Sequence, residues 1–234
     1  MYYDHDRVEA ERPKTTAFNT AWPAALVGGA AEEWCKEYLE KRRLSWPLAK
    51  ANGWYPSQDA GDWLTRIVIP AQSTQLGHAY WQARAISPSA FIRYQSPKGP
   101  RLDAVVVVTP PPSPYVSSFK WEPVTVLVEG PMDALAVAEC GAMGIALMGA
   151  TPGTTVLRSL YKRLKPMTPV FVMPDRDAVS EGQQTRLALA SLGKATRLIN
   201  LADWTDKKDF AALPPAQRRV ILMGEMSEWE TEQR

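Results

Sequence analysis

The second half of the chain alternates short apolar runs, rich in β-branched residues, with segments whose apolar residues recur at helical spacing. The apolar runs predict strands, and the segments between them predict helices. Strands are predicted at 124–128, 144–148, 169–173 and 195–201, and helices at 132–140, 155–164, 181–192 and 209–223. Apolar strands joined by helices are typical of an α/β fold with a central, mostly parallel sheet flanked by helices.

The first half begins with residues 1–20, which are polar and lack periodicity, and we predict that they form a flexible N-terminus. A helix that ends near residues 41–43 is predicted by apolar residues at helical spacing, namely Ala30, Trp34, Tyr38 and Leu39. A second, short helix is predicted at 44–52, where Gly53 ends it.

Two β-like runs at 64–70 and 77–85, with a polar turn between them, predict a hairpin, and 104–109 predicts a further strand. The prolines at 110–112 end that strand and mark a boundary. We therefore divide the chain into a flexible N-terminus at 1–20, a smaller α+β lobe at 21–121 and an α/β domain at 122–234.

Charge is unevenly distributed, although the net charge of the 234 residues is only +2. Between residues 41 and 101, nine basic residues stand against two acidic ones, so this segment carries +7 and the remainder is net acidic. A basic lobe beside an acidic one suits a polyanionic substrate and a metal site. Basic residues scattered over a solvated surface would give the same count.

The two cysteines, Cys35 and Cys140, lie far apart, and neither belongs to a CxxC pair. This spacing excludes a disulfide framework and a zinc ribbon built from this chain's own thiols, so we expect both cysteines to be small buried side chains. The chain shows no apolar run near the roughly 20 residues that span a membrane. No apolar signal segment is visible at the N-terminus. We therefore expect a cytoplasmic protein without zinc and without a membrane partner.

Acidic residues follow three of the predicted strands. They are Glu129 after the first, Asp175 and Asp177 after the third, and Asp206 and Asp209 after the fourth. The carboxyl ends of parallel strands meet at one edge of a sheet, where like charges repel unless a cation neutralises them. Mg²⁺ prefers carboxylates together with water and phosphate, so this edge is a candidate magnesium site.

A single acid after a strand is weaker evidence, because acids commonly cap the helix that follows. We expect that role for Asp133 and Glu181. The order and spacing of the whole acidic set therefore carry the prediction.

That order and spacing resemble the TOPRIM domain, which bacterial-type primases share with topoisomerases, OLD-type nucleases and small RNA-maturation nucleases. The matches are Glu129-Gly130 to the EG motif, Asp175 and Asp177 to the DxD motif, and Asp206-Lys207-Lys208-Asp209 to the KDxxD motif of phage-type primases, with Thr205 in place of its lysine. The resemblance spans residues 124 to about 213. It implies a metal site of Glu129, Asp175 and Asp177, assisted by Asp206 and Asp209.

The first half resembles the N-terminal lobe of the primase catalytic core, although less specifically. In that lobe a YLxxRGL helix precedes a hairpin of the form R-I-x-x-P…G-x-x-x-G-x-Q-x-R and then KYxNS. The corresponding residues here are Tyr38-Leu39-Glu40-Lys41-Arg42-Arg43-Leu44, then Arg66-Ile67-Val68-Ile69-Pro70, then Gly77, Gln82 and Arg84, and finally Arg93-Tyr94-Gln95-Ser96. The last match is one residue short, so Arg93 or Lys98 would take the part of the usual lysine.

The resemblance implies a DNA primase-like nucleotidyltransferase that makes short RNA primers on single-stranded DNA. Mg²⁺, with Mn²⁺ as the alternative, would bridge the phosphates of a nucleoside triphosphate. Glu129 would serve as general acid or base, and Asp175 and Asp177 as metal ligands. Arg66 and Arg84, followed by Arg93 and Lys98, would hold phosphates.

Aromatic residues in the basic lobe have two interpretations. Trp63, Tyr80, Trp81 and Tyr94 could stack on unpaired bases or could belong to the core. For Tyr80 and Trp81 we favour the core.

Two other functions stay open at this point. A TOPRIM-type nuclease would use the same acids to direct water, and a non-catalytic accessory would only bind nucleic acid. Synthesis of oligomers from nucleoside triphosphates would separate a primase from both. Because no thiol pair is available for a zinc ribbon, we expect a helicase or a zinc-binding accessory protein to supply template reading. The host, a cell or a phage or other mobile element, stays open.

Overall fold

The computed structural model describes residues 22–26, 29–58, 65–73, 80–97, 101, 103–111, 124–165 and 168–232. The N-terminus predicted to be flexible, residues 1–20, lies outside the described residues. Trp63, Gly77 and Lys98 lie outside them as well.

The described residues form two sheets with helices packed against them. The helices are α1 (Gly29–Lys41), α2 (Trp46–Ala51), α3 (Pro131–Glu139), α4 (Thr154–Arg163), α5 (Val179–Ser191) and α6 (Pro215–Glu232). The strands are β1 (Tyr55–Gln58), β2 (Thr65–Ala71), β3 (Tyr80–Ala85), β4 (Tyr94–Gln95), β5 (Val106–Val108), β6 (Thr125–Val128), β7 (Met143–Ala146), β8 (Val170–Val172) and β9 (Thr196–Leu198). Two 3₁₀ turns, Leu201–Asp203 and Phe210–Ala212, precede α6.

The first sheet is antiparallel and has the order β1-β2-β3-β4. It contains the predicted hairpin, in which Ile67 of β2 stands opposite Arg84 of β3. The two N-terminal helices are also confirmed, but α1 is rotated relative to the prediction. Its buried residues are Ala31, Cys35 and Leu39, whereas Trp34 is 52% exposed.

The C-terminus of α1 is a Schellman motif built around an arginine. The amide of Leu44 donates to the carbonyl of Leu39 at 2.8 Å, and the amide of Arg43 donates to the carbonyl of Glu40 at 2.8 Å. Arg43 has a φ of 58°, in the left-handed region where glycine is preferred. The YLxxRGL motif of primases has its glycine at this position.

The second sheet has the order β5-β7-β6-β8-β9 and confirms the predicted α/β fold class. Its four later strands pair in parallel, and β5 pairs antiparallel with β7. The β5 strand belongs to the range 21–121 that we assigned to the first lobe, yet it forms the edge of this sheet. A bridge between Gln72 and Val105 joins the two sheets.

Helices cover the parallel sheet on both faces, and its central strands β6 and β8 are buried along their whole length. In β6, Val126 and Val128 point into one core cluster with α3 and α6, while Leu127 points into the opposite cluster with α4 and α5. Each fully buried aliphatic side chain of this kind contributes about 1.5–3 kcal/mol. Gly144 of β7 allows α3 to approach closely, since a Cβ there would lie 2.2 Å from the carbonyl oxygen of Ala134.

Cys35 is buried in the core, as expected, and Cys140 is half-buried; both are free thiols. Within the described residues, no helix has the length and apolarity required to cross a membrane.

Candidate active site

The predicted acidic residues lie at the carboxyl ends of neighbouring strands. β6 leads into Glu129, β8 into Asp175 and Asp177, and β9 through a 3₁₀ turn into Asp206 and Asp209. These three strands are adjacent in the order β6-β8-β9. The sheet therefore brings the acidic segments to one edge, as the sequence pattern predicts.

Glu129 and Asp175 form the centre of this edge. The backbone amide of Asp175 donates a 3.1 Å hydrogen bond to Oε1 of Glu129. Burial, together with the negative charges of Glu129 and Asp209, raises the pKa of Asp175 to about 7. Burial also raises the pKa of Glu129, against the opposing effect of the hydrogen bond from Asp175. Negative charge at this edge is thus incompletely compensated.

Asp177 has different surroundings from Asp175, although both belong to the DxD motif. Asp177 is exposed, and its Oδ2 accepts a 2.8 Å hydrogen bond from Nζ of Lys208. This hydrogen bond lowers the pKa of Asp177 below its ordinary value. Lys208 also lies near enough to Asp175 and Glu129 to oppose their raised pKa values.

Asp206 and Asp209 lie in the segment after β9. Oδ1 of Asp209 accepts from the amide of Ala212 at 2.8 Å and so caps the second 3₁₀ turn. Asp206 is exposed, and its carbonyl accepts from Nη1 of Arg176 at 2.9 Å. Asp209 contributes its charge to the acidic edge, while Asp206 lies at its outer rim.

Asp133 does not play the capping role that we predicted. The N-cap of α3 is Gly130, and Oδ1 of Asp133 accepts instead from the distant amide of Ala211 at 2.8 Å. Burial raises the pKa of Asp133 to about 7, and the charge of Asp209 adds to the effect. Gly130 leaves room for this carboxylate, since a Cβ at residue 130 would lie 3.2 Å from Oδ2.

Asp133 is therefore a further acid beside this edge, and we had not predicted it as a site residue. Its position four residues after Glu129 was the available signal, because that spacing places it in the first turn of α3, directly after the end of β6. Glu181 likewise lies in the first turn of its helix, α5, but it does not cap that helix, because the N-cap is Ala178 and no side chain bonds there.

The donor chemistry of this edge fits a hard divalent cation, since the ligands on offer are carboxylate oxygens. Among the residues that the structure describes, however, no group of three or more His, Cys, Asp or Glu side chains is arranged to hold a metal ion. The physical reason is that Asp177 pairs with Lys208 and Asp209 caps its own turn. The unpaired carboxylate charge around Asp175 is what a cation would neutralise.

On the basic side, Arg84 lies between two tyrosines. Its guanidinium carbon lies 4.7 Å from the ring centroid of Tyr94 and 6.0 Å from that of Tyr38. Its Nε donates to the hydroxyl of Tyr38 at 3.0 Å. Such stacking fixes the plane of the guanidinium and leaves charge available to a ligand.

Arg42 joins this cluster, which we call the Arg84 cluster (Tyr38, Arg42, Arg84 and Tyr94). Its guanidinium carbon lies 5.9 Å from the ring centroid of Tyr38. Burial raises the pKa of Tyr94 to about 12, with opposing effects from Arg84 and Arg42 and a further rise from Asp133. The Arg84 cluster therefore lies within electrostatic reach of the acidic edge. Arg42 was missed as a site residue although it belongs to the segment that resembles the YLxxRGL motif.

Arg66 requires a correction. It is only 2% exposed, and its Nη1 donates to the carbonyl of Ile92 at 3.1 Å, so it supports the loop before β4. A buried guanidinium of this kind is not available to a phosphate, in contrast to our expectation. Arg93 is exposed, and the structure leaves its role as a prediction. Tyr80 belongs to the core, as expected, and Trp81 is half-buried.

No family model matches the sequence, and no curated protein is similar enough to match it. Solved structures do match. The catalytic core of the E. coli primase superposes with a TM-score of 0.59 at 16% identity, covering 86% of this chain and 74% of that one. The DnaG primase catalytic domain bound to ssDNA gives 0.58 at 16% identity, covering 86% and 73%.

The primase fragment of the bacteriophage T7 primase-helicase protein gives a TM-score of 0.53 at 14% identity and covers 95% of this chain and 81% of that one. The matches include both sheets of this chain, because they cover most of its length. At these identities the likeness concerns the fold. The chain therefore has the fold of the catalytic core of DnaG-type DNA primases.

Proposed function

We propose that this chain is a DNA primase-like nucleotidyltransferase, whose TOPRIM-type domain forms phosphodiester bonds between ribonucleotides on a single-stranded DNA template. The observation that carries the proposal is the combination of two features. The fold of both lobes is that of a primase core, and the carboxyl edge of its parallel sheet carries the acids that a TOPRIM domain uses.

Divalent cation binding would fall to Glu129, Asp175 and Asp177. When bound, Mg²⁺ would neutralise charge on the triphosphate and orient it for attack. Asp177 would exchange its partner Lys208 for the cation, and Lys208 would then be free to approach a phosphate. Mn²⁺ would be accepted by the same oxygen ligands.

Glu129 is the candidate general acid or base for the attacking hydroxyl. Burial raises the pKa of Glu129 above its ordinary value, the direction that favours a role in proton transfer. The hydrogen bond from the amide of Asp175 to Oε1 holds this carboxyl at the edge of the sheet.

The template and the incoming nucleotide would lie beside the Arg84 cluster. Arg84 and Arg42 provide positive charge within reach of the acidic edge, and Tyr94 offers a ring beside them. The DnaG catalytic domain bound to ssDNA, which shares the fold, supports a single-stranded template as the ligand.

A helicase or a zinc-binding protein is the partner that we propose for template reading. The support is that the two cysteines of this chain are separate and free, so they do not form a zinc site with each other. One of the proteins with this fold is a fragment of a primase-helicase.

The test is a reaction with end-labelled single-stranded DNA, the four ribonucleoside triphosphates, one of them carrying a second label, and Mg²⁺, followed on denaturing gels. A primase lengthens or creates labelled oligomers, and a nuclease shortens the DNA. Glu129→Gln should lose the synthesis while retaining the fold, as judged by circular dichroism. Shortened DNA without new oligomers would replace the proposal with the nuclease alternative.

A further inference from the structure

A buried arginine joins the two lobes directly behind the acidic edge. Arg218 of α6 is fully buried, with 0% of its surface exposed. Its Nη1 donates to Oε2 of Glu139 at 2.9 Å and to the carbonyl of Arg43 at 3.1 Å. Its Nη2 donates to the carbonyls of Ala211 at 2.7 Å and Arg42 at 3.2 Å. The planar guanidinium of arginine can make these four hydrogen bonds at once, and the single ammonium group of lysine cannot reproduce them.

On the side of the basic lobe, Arg218 supplies hydrogen-bond donors to the backbone at the C-terminal end of α1. The last carbonyls of a helix have no partner within the helix, and the Schellman motif here satisfies only those of Leu39 and Glu40. Arg218 donates hydrogen bonds to the carbonyls of Arg42 and Arg43, and Glu139 accepts one from the amide of Ser45. The segment 42–45 is thus fixed to α6 and to the end of α3.

On the acidic side, Arg218 holds the turn that carries Asp209. The carbonyl of Ala211 accepts from Arg218, while the amide of Ala211 donates to Asp133. The next amide, that of Ala212, donates to Asp209. One residue, Ala211, therefore connects Arg218 to a buried acid of the site.

We infer that Arg218 is a positioning residue, which holds Arg42 and the Arg84 cluster in register with the turn 209–213 of the acidic edge. The inference rests on the proposed function only for its consequence, the binding of a nucleic acid strand by Arg42. The geometry of the clasp, formed by Arg218, Glu139, Ala211 and the carbonyls of Arg42 and Arg43, stands without it.

The first arm of the test measures the clasp alone by amide hydrogen exchange on the full chain. Arg218→Lys should speed exchange at Arg43, Leu44 and Ala211 together, by about tenfold or more relative to the strands β6 and β8. The control is Leu189→Ala, which opens the core on the other face of the sheet. Leu189→Ala should leave unchanged the ratio of the exchange rates of these three amides to those of the amides in β6 and β8. Unchanged exchange in Arg218→Lys would overturn the inference.

Where Arg218→Lys does not fold, Glu139→Gln replaces it, because glutamine keeps the shape and an acceptor oxygen but removes the charge that faces Arg218. The same amides should exchange faster in that variant relative to β6 and β8, by a smaller factor than the one expected for Arg218→Lys.

The second arm is a double-mutant cycle on the affinity for single-stranded DNA. Arg42→Ala should weaken binding by about five- to tenfold in the wild-type and Leu189→Ala backgrounds, and by less than about twofold in Arg218→Lys. Equal factors in all three backgrounds would overturn the positioning role. If the wild-type chain binds no DNA, the proposed function fails, and the exchange arm alone decides whether Arg218 couples the two segments.

Discussion

The backbone amide of Asp175 donates a 3.1 Å hydrogen bond to Oε1 of Glu129, which ties the loop after β8 to the end of the neighbouring strand β6. The two residues consequently stand together at the edge of the sheet, where the charge of Glu129 helps to raise the pKa of Asp175. This arrangement has measurable consequences for cation binding, for pH dependence and for catalysis.

The first prediction concerns the divalent cation. Mg²⁺ at about ten times its dissociation constant should raise the melting temperature of the wild-type chain by about 3–5 °C, because binding to the folded state alone stabilises it. Asp175→Asn should abolish this rise, and Asp203→Asn, a change on the neighbouring 3₁₀ turn, should preserve it. Differential scanning fluorimetry at constant ionic strength measures both. An equal rise in wild type and Asp175→Asn would remove Asp175 from the metal site.

The second prediction concerns pH. The pKa of Asp133 in the folded chain is about 7, above the ordinary value of 3.8, so the folded state binds this proton more tightly than the unfolded state does. Stability should therefore fall as pH rises from about 4 to about 7 and level off above that.

Asp133→Asn should remove much of this fall, because asparagine keeps an oxygen for the amide of Ala211 and carries no charge. At pH 8 the variant should be more stable than wild type, as measured by urea unfolding without divalent cations. The exposed change Glu230→Gln is the control. The same pH slope in wild type and Asp133→Asn would show that Asp133 is not the titrating group.

The third prediction concerns the end of α1. Arg43→Gly should stabilise the chain by about 1 kcal/mol, because Arg43 has a φ of 58°, which glycine adopts without strain. Lys41→Gly, inside the same helix, should cost roughly 0.5–1 kcal/mol instead. Chemical denaturation compares the two. Destabilisation by both glycines would show that the side chain of Arg43 contributes more than its backbone strain costs.

The fourth prediction separates the arginines of the basic lobe. Arg84→Ala should weaken binding to single-stranded DNA and reduce the salt slope by about 0.7 for each phosphate that the variant no longer neutralises. Arg66→Ala should instead lower stability by about 1–3 kcal/mol, because it removes a buried side chain and its hydrogen bond to the carbonyl of Ile92. Fluorescence anisotropy over a salt series and urea unfolding measure the two effects. Arg158→Ala, an exposed change in α4, is the control for charge alone.

The contrast between Arg66 and Arg84 also shows what the sequence could predict. Periodicity identified the strands of the parallel sheet, because their apolar runs are local, and the acids after them were therefore placed at one edge correctly. The pairing of β5 with β7 depends on distant residues, and no local pattern specifies it. The burial of Arg66 and the tertiary hydrogen bond of Asp133 are likewise decided by packing between segments far apart in the chain.

The same limit explains the error on α1. Trp34 and Cys35 are adjacent and both apolar, so helical spacing fits either face, and only the packing against the antiparallel sheet selects Cys35. The DxD motif was identified by its spacing, but the pairing of Asp177 with Lys208 requires the loop after β9 to return to β8.

The most direct measurement is the extension of a short RNA primer already annealed to single-stranded DNA, because it bypasses template reading and needs no partner. With Mg²⁺ and labelled ribonucleoside triphosphates, the wild-type chain should add nucleotides, and Asp175→Asn should add none while remaining folded. Failure of the wild-type chain to extend this primer, or equal extension by Asp175→Asn, would contradict the proposal that the acids after β6 and β8 catalyse nucleotidyl transfer.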